Sequence, residues 1–192
     1  MGIDTFRTAS KSDAEAIAQL VNKAYRPETG AAGWTHESDL VSGDRASVGQ
    51  VSEVMSKPDS VILIGLNDSE IVACVHVDKD GNNSHIGMLA VNPALQGAGV
   101  GKQMLAYAEW YASEYYGSEK YIMFVVSSRN ELIAFYLRRG YQQIGCVMDY
   151  PLSAGAGTPK HADLKIETLE KRSHTTVKRD TLYADPIHQG SL

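Results

Sequence analysis

Residues 86–102 read Ile-Gly-Met-Leu-Ala-Val-Asn-Pro-Ala-Leu-Gln-Gly-Ala-Gly-Val-Gly-Lys, an order that few folds accommodate. An apolar, strand-like run stops at Asn92-Pro93, because proline has no amide hydrogen for a sheet ladder and biases its predecessor away from helix. After the glycine-rich segment 96–102, the residues Met104, Leu105, Ala108, Tyr111, Ala112 and Tyr115 recur at the three- and four-residue spacing of one helix face. A glycine-rich turn therefore joins a strand to a helix. Glycine lets backbone approach a ligand closely, while the free amides and positive dipole end of a helix N-terminus attract an anion such as phosphate. The alternative is a strand-to-helix turn that holds nothing.

Spacing separates three phosphate-binding patterns. A Walker loop requires glycine five residues before Gly101 and a hydroxyl after Lys102, but those positions are Gln96 and Gln103. A dinucleotide fingerprint started at Gly97 places its last glycine on Lys102, and started at Gly99 on Met104. What fits is Gln-x-x-Gly-x-Gly after a strand, Gln96 to Gly99 to Gly101, which resembles the acetyl-CoA pyrophosphate loop of the GNAT superfamily of N-acetyltransferases.

The 192 residues are a single-domain length, with 43% hydrophobic and 21% charged residues and a formal charge of −5. That balance offers no general reason to bind nucleic acid or an anionic membrane. No apolar run approaches membrane-spanning length and the N-terminus lacks a leader pattern, so a cytoplasmic protein is expected. Cys74 and Cys146, both in apolar strand-like runs, read as buried thiols rather than a disulfide, and no metal site is expected.

In chain order, residues 3–8 read as a short strand, and Ser12-Asp13-Ala14-Glu15 as a capping box opening a helix with Ile17, Leu20, Val21 and Ala24 on its apolar face. Pro27 and Gly30 end it. Residues 28–47, with Trp34, Glu37 and Asp39, read as an irregular segment, either a recognition loop or one that packs Trp34 and Leu40 on the core; a short helix at 48–55 follows. Strands at 60–66, 71–77 and 84–91 form a meander, turning at 67–69 and 80–83. A helix at 101–116 crosses to a buried strand at 121–126, which should lie parallel to the strand before the glycine loop. Ser128-Arg129-Asn130-Glu131 reads as a second capping box, and strands at 141–150 and 164–169 flank a flexible loop at 151–163. The tail at 171–192 is polar and aperiodic.

Asn130-Glu131-Leu-Ile-Ala-Phe135-Tyr136-Leu-Arg-Arg-Gly140-Tyr141 resembles the second GNAT signature, in which an asparagine opens a helix ending Phe-Tyr…Gly-Tyr. The resemblance spans 3–170. It implies an α/β GNAT domain at 1–170 with a C-terminal extension at 171–192. The sheet is mixed and largely antiparallel, flanked by helices, and splayed by the cofactor between the strands of Leu89 and Ile122. By the same resemblance, Leu89, Ala90 and Val91 pair through backbone with the pantetheine arm of acetyl-CoA. The amides of Gly97, Ala98, Gly99, Val100, Gly101 and Lys102 cradle its pyrophosphate, Gln96 supports the turn, and Asn130 contacts cofactor. Tyr136 takes the position of the acid that protonates the leaving thiolate; its other reading is a packing residue. A phenol suits that role, because a reference pKa of about 10 keeps it protonated near neutrality.

Acetyl transfer to an amine needs a neutral nucleophile, oxyanion donors and a proton for sulfur. The strand before the loop carries no carboxylate, which leaves the base open among Glu37, Asp39, His76 and His85, with Glu131 assigned to the capping box. Trp34, Glu37 and the 152–163 loop are expected to border the acceptor, a small-molecule or protein amine, with the acidic balance favouring a cationic one. A homodimer is among the assemblies the resemblance allows. The competing function is a non-catalytic acyl-CoA sensor.

Overall fold

Four successive apolar residues, Val61, Ile62, Leu63 and Ile64, can all be buried in a strand only if both faces of its sheet are covered, and all four are buried. The computed structural model describes residues 2–27 and 35–173. Strand β1 (Thr5–Thr8) leads through a 3₁₀ turn to helix α1 (Ala14–Tyr25), followed by a short strand β2 (Val41–Ser42) and helix α2 (Val48–Ser56). The meander is β3 (Ser60–Asn67), β4 (Glu70–Asp80) and β5 (Asn83–Val91). Asp68 and Ser69 turn the first hairpin with φ of 47° and 69°, as a tight two-residue connection demands. Helix α3 (Val100–Tyr116), strand β6 (Lys120–Val126), helix α4 (Asn130–Leu137), strand β7 (Gln142–Asp149), a two-residue strand β8 (Thr158–Pro159) and strand β9 (Lys165–Arg172) follow.

The main sheet runs β1-β3-β4-β5-β6-β9-β7, antiparallel except where β5 meets β6. That parallel pairing covers only Asn83, Ser84 and His85 against Lys120, Tyr121 and Ile122. Past Ile86 the two strands part, as the splayed-sheet expectation requires. On one face, Val61, Leu63, Val75 and Val77 pack with Met104, Leu105, Tyr107 and Ala108 of α3. On the other, Ile62, Ile64 and Cys74 pack with Ile17, Leu20 and Val21 of α1 and Val51 of α2. Burying such a side chain contributes about 1.5–3 kcal/mol, so these two layers hold the sheet against its helices.

Several local expectations are corrected. The first capping box uses Ser10 and Asp13, two residues earlier than the pattern at Ser12 and Glu15. The reason is Arg7, whose guanidinium pairs with the Asp13 carboxylate at 2.8 Å, holds its pKa well below the usual range, and so fixes it beside the Ser10 amide at 2.7 Å. The second box does not form: α4 has Arg129 at its N-cap with no side-chain cap, and Glu131 instead accepts from the Thr35 hydroxyl at 3.0 Å. Cys74 is buried but Cys146 is exposed, because β7 is an edge strand left uncovered along its length. Tyr115 and Phe124 likewise reach solvent, and Tyr107 takes the core position on α3. The 151–163 loop contains β8, paired antiparallel with β2. Gly30 and Trp34, and the tail beyond Ser173, lie outside the described residues.

Candidate functional site

Where β5 leaves β6, two cavities open on either side of one wall. The wall starts from a bulge: the β4–β5 register shifts between Cys74 and His76, and Met88 takes φ of 50°, a conformation that a non-glycine side chain adopts only when its surroundings impose it. Beyond Ile86, alternate backbone groups of β5 face the fork without a strand partner. Side chains meet some of its carbonyls: Tyr25 donates its hydroxyl to Leu89 O at 3.1 Å, and Gln96 donates its amide to Val91 O at 3.3 Å. Each carbonyl retains a second lone pair.

The first cavity encloses about 340 Å³ and is lined by the glycine loop. Gly97 and Gly99 adopt φ of 83° and 86°, so the chain can turn there only because neither has a Cβ. The first α3 bond runs from Gln103 N–H to Gly99 O at 3.1 Å, which leaves the amides of Val100, Gly101 and Lys102 without intrahelical acceptors. Lys102, Arg129, Arg138 and Arg139 add positive charge, and Arg139 stacks on Phe135 with 3.4 Å from guanidinium carbon to ring centroid. The cavity is thus apolar at Leu89, Val91, Leu132 and Phe135 and anion-seeking at the loop. Of the residues singled out from sequence, Leu89, Val91, Gln96, Gly97, Gly99, Gly101 and Lys102 line it. Ala90 and Val100 turn their side chains into the core, Ala98 is exposed beside the cavity, and Asn130 is an exposed residue at the start of α4.

The second cavity, about 460 Å³, is lined by β4, β5 and β6, by Met148 and Tyr150, and by Pro151, Ala154 and Ala156 of the long loop. Tyr136 lines it, 6% exposed, and burial raises its phenol pKa well above the ordinary value, since a phenolate would be stripped of water. Among the described residues the Tyr136 hydroxyl has no hydrogen-bond partner. Glu37 also lines this cavity but accepts from Arg26 at 2.7 Å and from Arg129 at 2.8 Å, with all three side chains under 10% exposed. Both of its oxygens are committed, so it braces the wall rather than standing free as a base. Asp39 is exposed and lines neither cavity. His76 is held against Ser60 Oγ at 2.7 Å and burial lowers its pKa to about 4, so it is neutral at pH 7 and a weak base. His85 stands 3.6 Å from Asp80 and edge-on to Phe124.

Tyr25, Leu89, Arg129 and Leu132 line both cavities and so mark where their contents would meet. Tyr25 and Arg129 were not singled out from sequence. An arginine before a helix-opening asparagine looks like a solvated surface residue; nothing local reports that Glu37, distant in sequence, will bury it.

The acetyltransferase (GNAT) domain model matches residues 58–143, from the start of β3 to the start of β7. No curated protein sequence matches the chain. Among solved structures, the chain is similar to the PaiA N-acetyltransferase of Thermoplasma acidophilum in complex with coenzyme A, at 18% identity and a TM-score of 0.67 over 90% of this chain and 99% of that one. It is similar to the ribosomal-protein-S18-alanine N-acetyltransferase of Escherichia coli at 13% identity and TM-score 0.66, covering 94% and 99%. A ribosomal-protein-alanine N-acetyltransferase from Brucella melitensis follows at 15% and 0.63, covering 87% and 98%.

Proposed function

Since the acetyltransferase (GNAT) domain model matches residues 58–143, we propose that this chain transfers the acetyl group of acetyl-CoA to the nitrogen of an amine by direct attack, both substrates being bound together. The observation that carries the proposal is the shared wall. Tyr25, Leu89, Arg129 and Leu132 border both a loop-lined groove suited to a pyrophosphate and a separate cavity suited to an acceptor. In this reading the amides at the start of α3 hold the pyrophosphate and Lys102, Arg138 and Arg139 supply counter-charge. The unpaired edge of β5 pairs with the peptide-like pantetheine arm and offers N–H groups to the developing oxyanion. The amine attacks the thioester carbonyl, the carbon–sulfur bond breaks, and the Tyr136 hydroxyl gives the departing sulfur its proton. In this reading the amine loses its own proton to water; Glu37 is held by two arginines and His76 is too weak a base.

Acetyl-CoA at 100 times its Kd is expected to stabilise the protein by about 2.7 kcal/mol through mass action, read as a rise in melting temperature. An amine screen for thiol release then separates an enzyme from a binding-only module. A melting temperature unmoved by saturating acetyl-CoA would sink the cofactor assignment.

Two glycine variants separate binding from strain. A Cβ at Gly101 would sit 3.6 Å from Phe135 and Val91, ordinary contact, so Gly101→Val should fold and lose acetyl-CoA affinity by crowding the groove. Gly99→Val should also lose stability, by about 1–2 kcal/mol or more, since its φ of 86° is left-handed. Calorimetry showing wild-type affinity in a folded Gly101→Val protein would place the pyrophosphate elsewhere.

A further inference from the structure

We propose that the amine acceptor carries a carboxylate and that the Arg45 guanidinium binds it inside the second cavity. This rests on the acetyltransferase reading above and extends it to the acceptor. Arg45 is half-buried, lines that cavity and stands over the Tyr25 ring, 5.2 Å from its centroid. Its backbone is clamped by Asn22 of α1, whose side-chain oxygen accepts from the Arg45 and Ala46 amides at 2.8 and 3.1 Å and whose amide donates to Ala46 O at 2.9 Å. The side chain therefore enters the cavity from a fixed base. Among the described residues no carboxylate lies within ion-pair distance of it; the Tyr25 ring face is its contact.

The charges around it do not cancel. Arg129 lies over the same ring at 5.6 Å, and the Glu37 carboxylate is shared between Arg129 and Arg26. Among the described residues, two guanidinium groups thus share one buried carboxylate, and Arg45 adds a third positive charge beside the same ring. Glu131, 44% exposed and 4.0 Å from Arg129, is outside the cavity lining. Asp78, the other carboxylate on the lining, stands on β4 opposite His85, not at Tyr25. His76 adds no charge near neutrality.

Counted over the described residues, the transfer end of the cavity is therefore positive although the chain as a whole carries −5. Over distances shorter than the Debye length of about 8 Å, that local charge outweighs the global one. A carboxylate matches the planar guanidinium fork bidentately, which an ammonium or an amide does not. The same two guanidinium groups beside Tyr25 disfavour an ammonium at the transfer point, and so favour the neutral amine that attacks. An amino-acid-type acceptor satisfies both demands; a polyamine meets neither.

The test measures thiol release by the full chain with acetyl-CoA and matched acceptors: phenylalanine against phenylalaninamide, methionine against methioninamide, and spermidine. The acids should exceed their amides at least tenfold in kcat/KM, and spermidine should be poor. Arg45→Gln should raise the KM of the acids by about 10–100-fold with kcat little changed, drawing the acid-to-amide ratio toward one, while Arg45→Lys keeps part of it. Amides or spermidine preferred over acids, or an acid KM unmoved by Arg45→Gln, overturns the inference and leaves the acetyltransferase reading in place. So does failure of every acid to be acetylated, or to bind the CoA-loaded protein in calorimetry; failure of CoA itself to bind would bring down the underlying reading too.

Discussion

Tyr136→Phe is expected to lower the single-turnover rate of acetyl transfer by about 10²–10⁴-fold while leaving acetyl-CoA affinity unchanged. The hydroxyl is wanted only as sulfur becomes negative, so its removal affects the transition state and not the ground state. The structure sharpens this expectation. The ring is held edge-to-face against Phe135 at 5.2 Å and Tyr141 at 5.8 Å, contacts that phenylalanine keeps. Burial keeps the phenol protonated, and no described residue occupies its hydroxyl. Single-turnover conditions exclude product release, which could otherwise mask a chemical defect. A Phe variant that retained the wild-type rate would make Tyr136 a packing residue and leave water to protonate the thiolate.

Glu37→Ala is expected to destabilise the fold by about 3–5 kcal/mol, because removing one partner of a buried ion-pair network strands the others. The stranded groups are the Arg26 and Arg129 guanidiniums, 9% and 6% exposed. For a domain of this size the melting temperature should fall by about 6–20 °C. The loss reaches further than the pair. Arg26 also ties α1 to the long loop through Ala156 O at 3.0 Å and to Gly43 O at 3.1 Å, and Arg129 donates to Thr35 Oγ1 at 2.6 Å. Both cavities share the Arg129 wall, so acceptor KM should rise along with the loss of stability. Glu37→Gln, which keeps hydrogen-bonding capacity without the charge, should fall between the two. Thermal unfolding of the three proteins checks the order; a shift of under 2 °C for the alanine variant would mean that solvent already screens these pairs.

The meander, the glycine loop and both long helices are legible in the residues because each rests on local chemistry. Proline at position 93 stops a strand wherever it stands, Gly97 and Gly99 permit positive φ regardless of context, and a three-and-four spacing makes a helix face before any partner is known. The seven loop and strand residues that line the first cavity are contiguous or nearly so, hence readable together. Where two local solutions competed, the sequence could not arbitrate. Ser10 with Asp13 and Ser12 with Glu15 are both capping patterns, and the choice fell to Arg7 on a neighbouring strand. Cys146 sits in an apolar run, yet exposure depends on which strand ends the sheet, and sheet order is a property of the whole chain.

The acceptor side was set almost entirely by tertiary structure. Trp34 lies outside the described residues, and Glu37 turned out to be a brace between two arginines. Arg129 and Glu37 are 92 positions apart, and Asn22 clamps the backbone at Ala46 from 24 positions away. Sequence by itself determined which segments could be strand, loop or helix, since backbone preferences and side-chain periodicity act over a few residues. Only the folded sheet decided which charges face one another, because an ion pair depends on distance and on the water removed around it, and neither quantity exists until β5 and β6 have parted and the helices have closed over both faces.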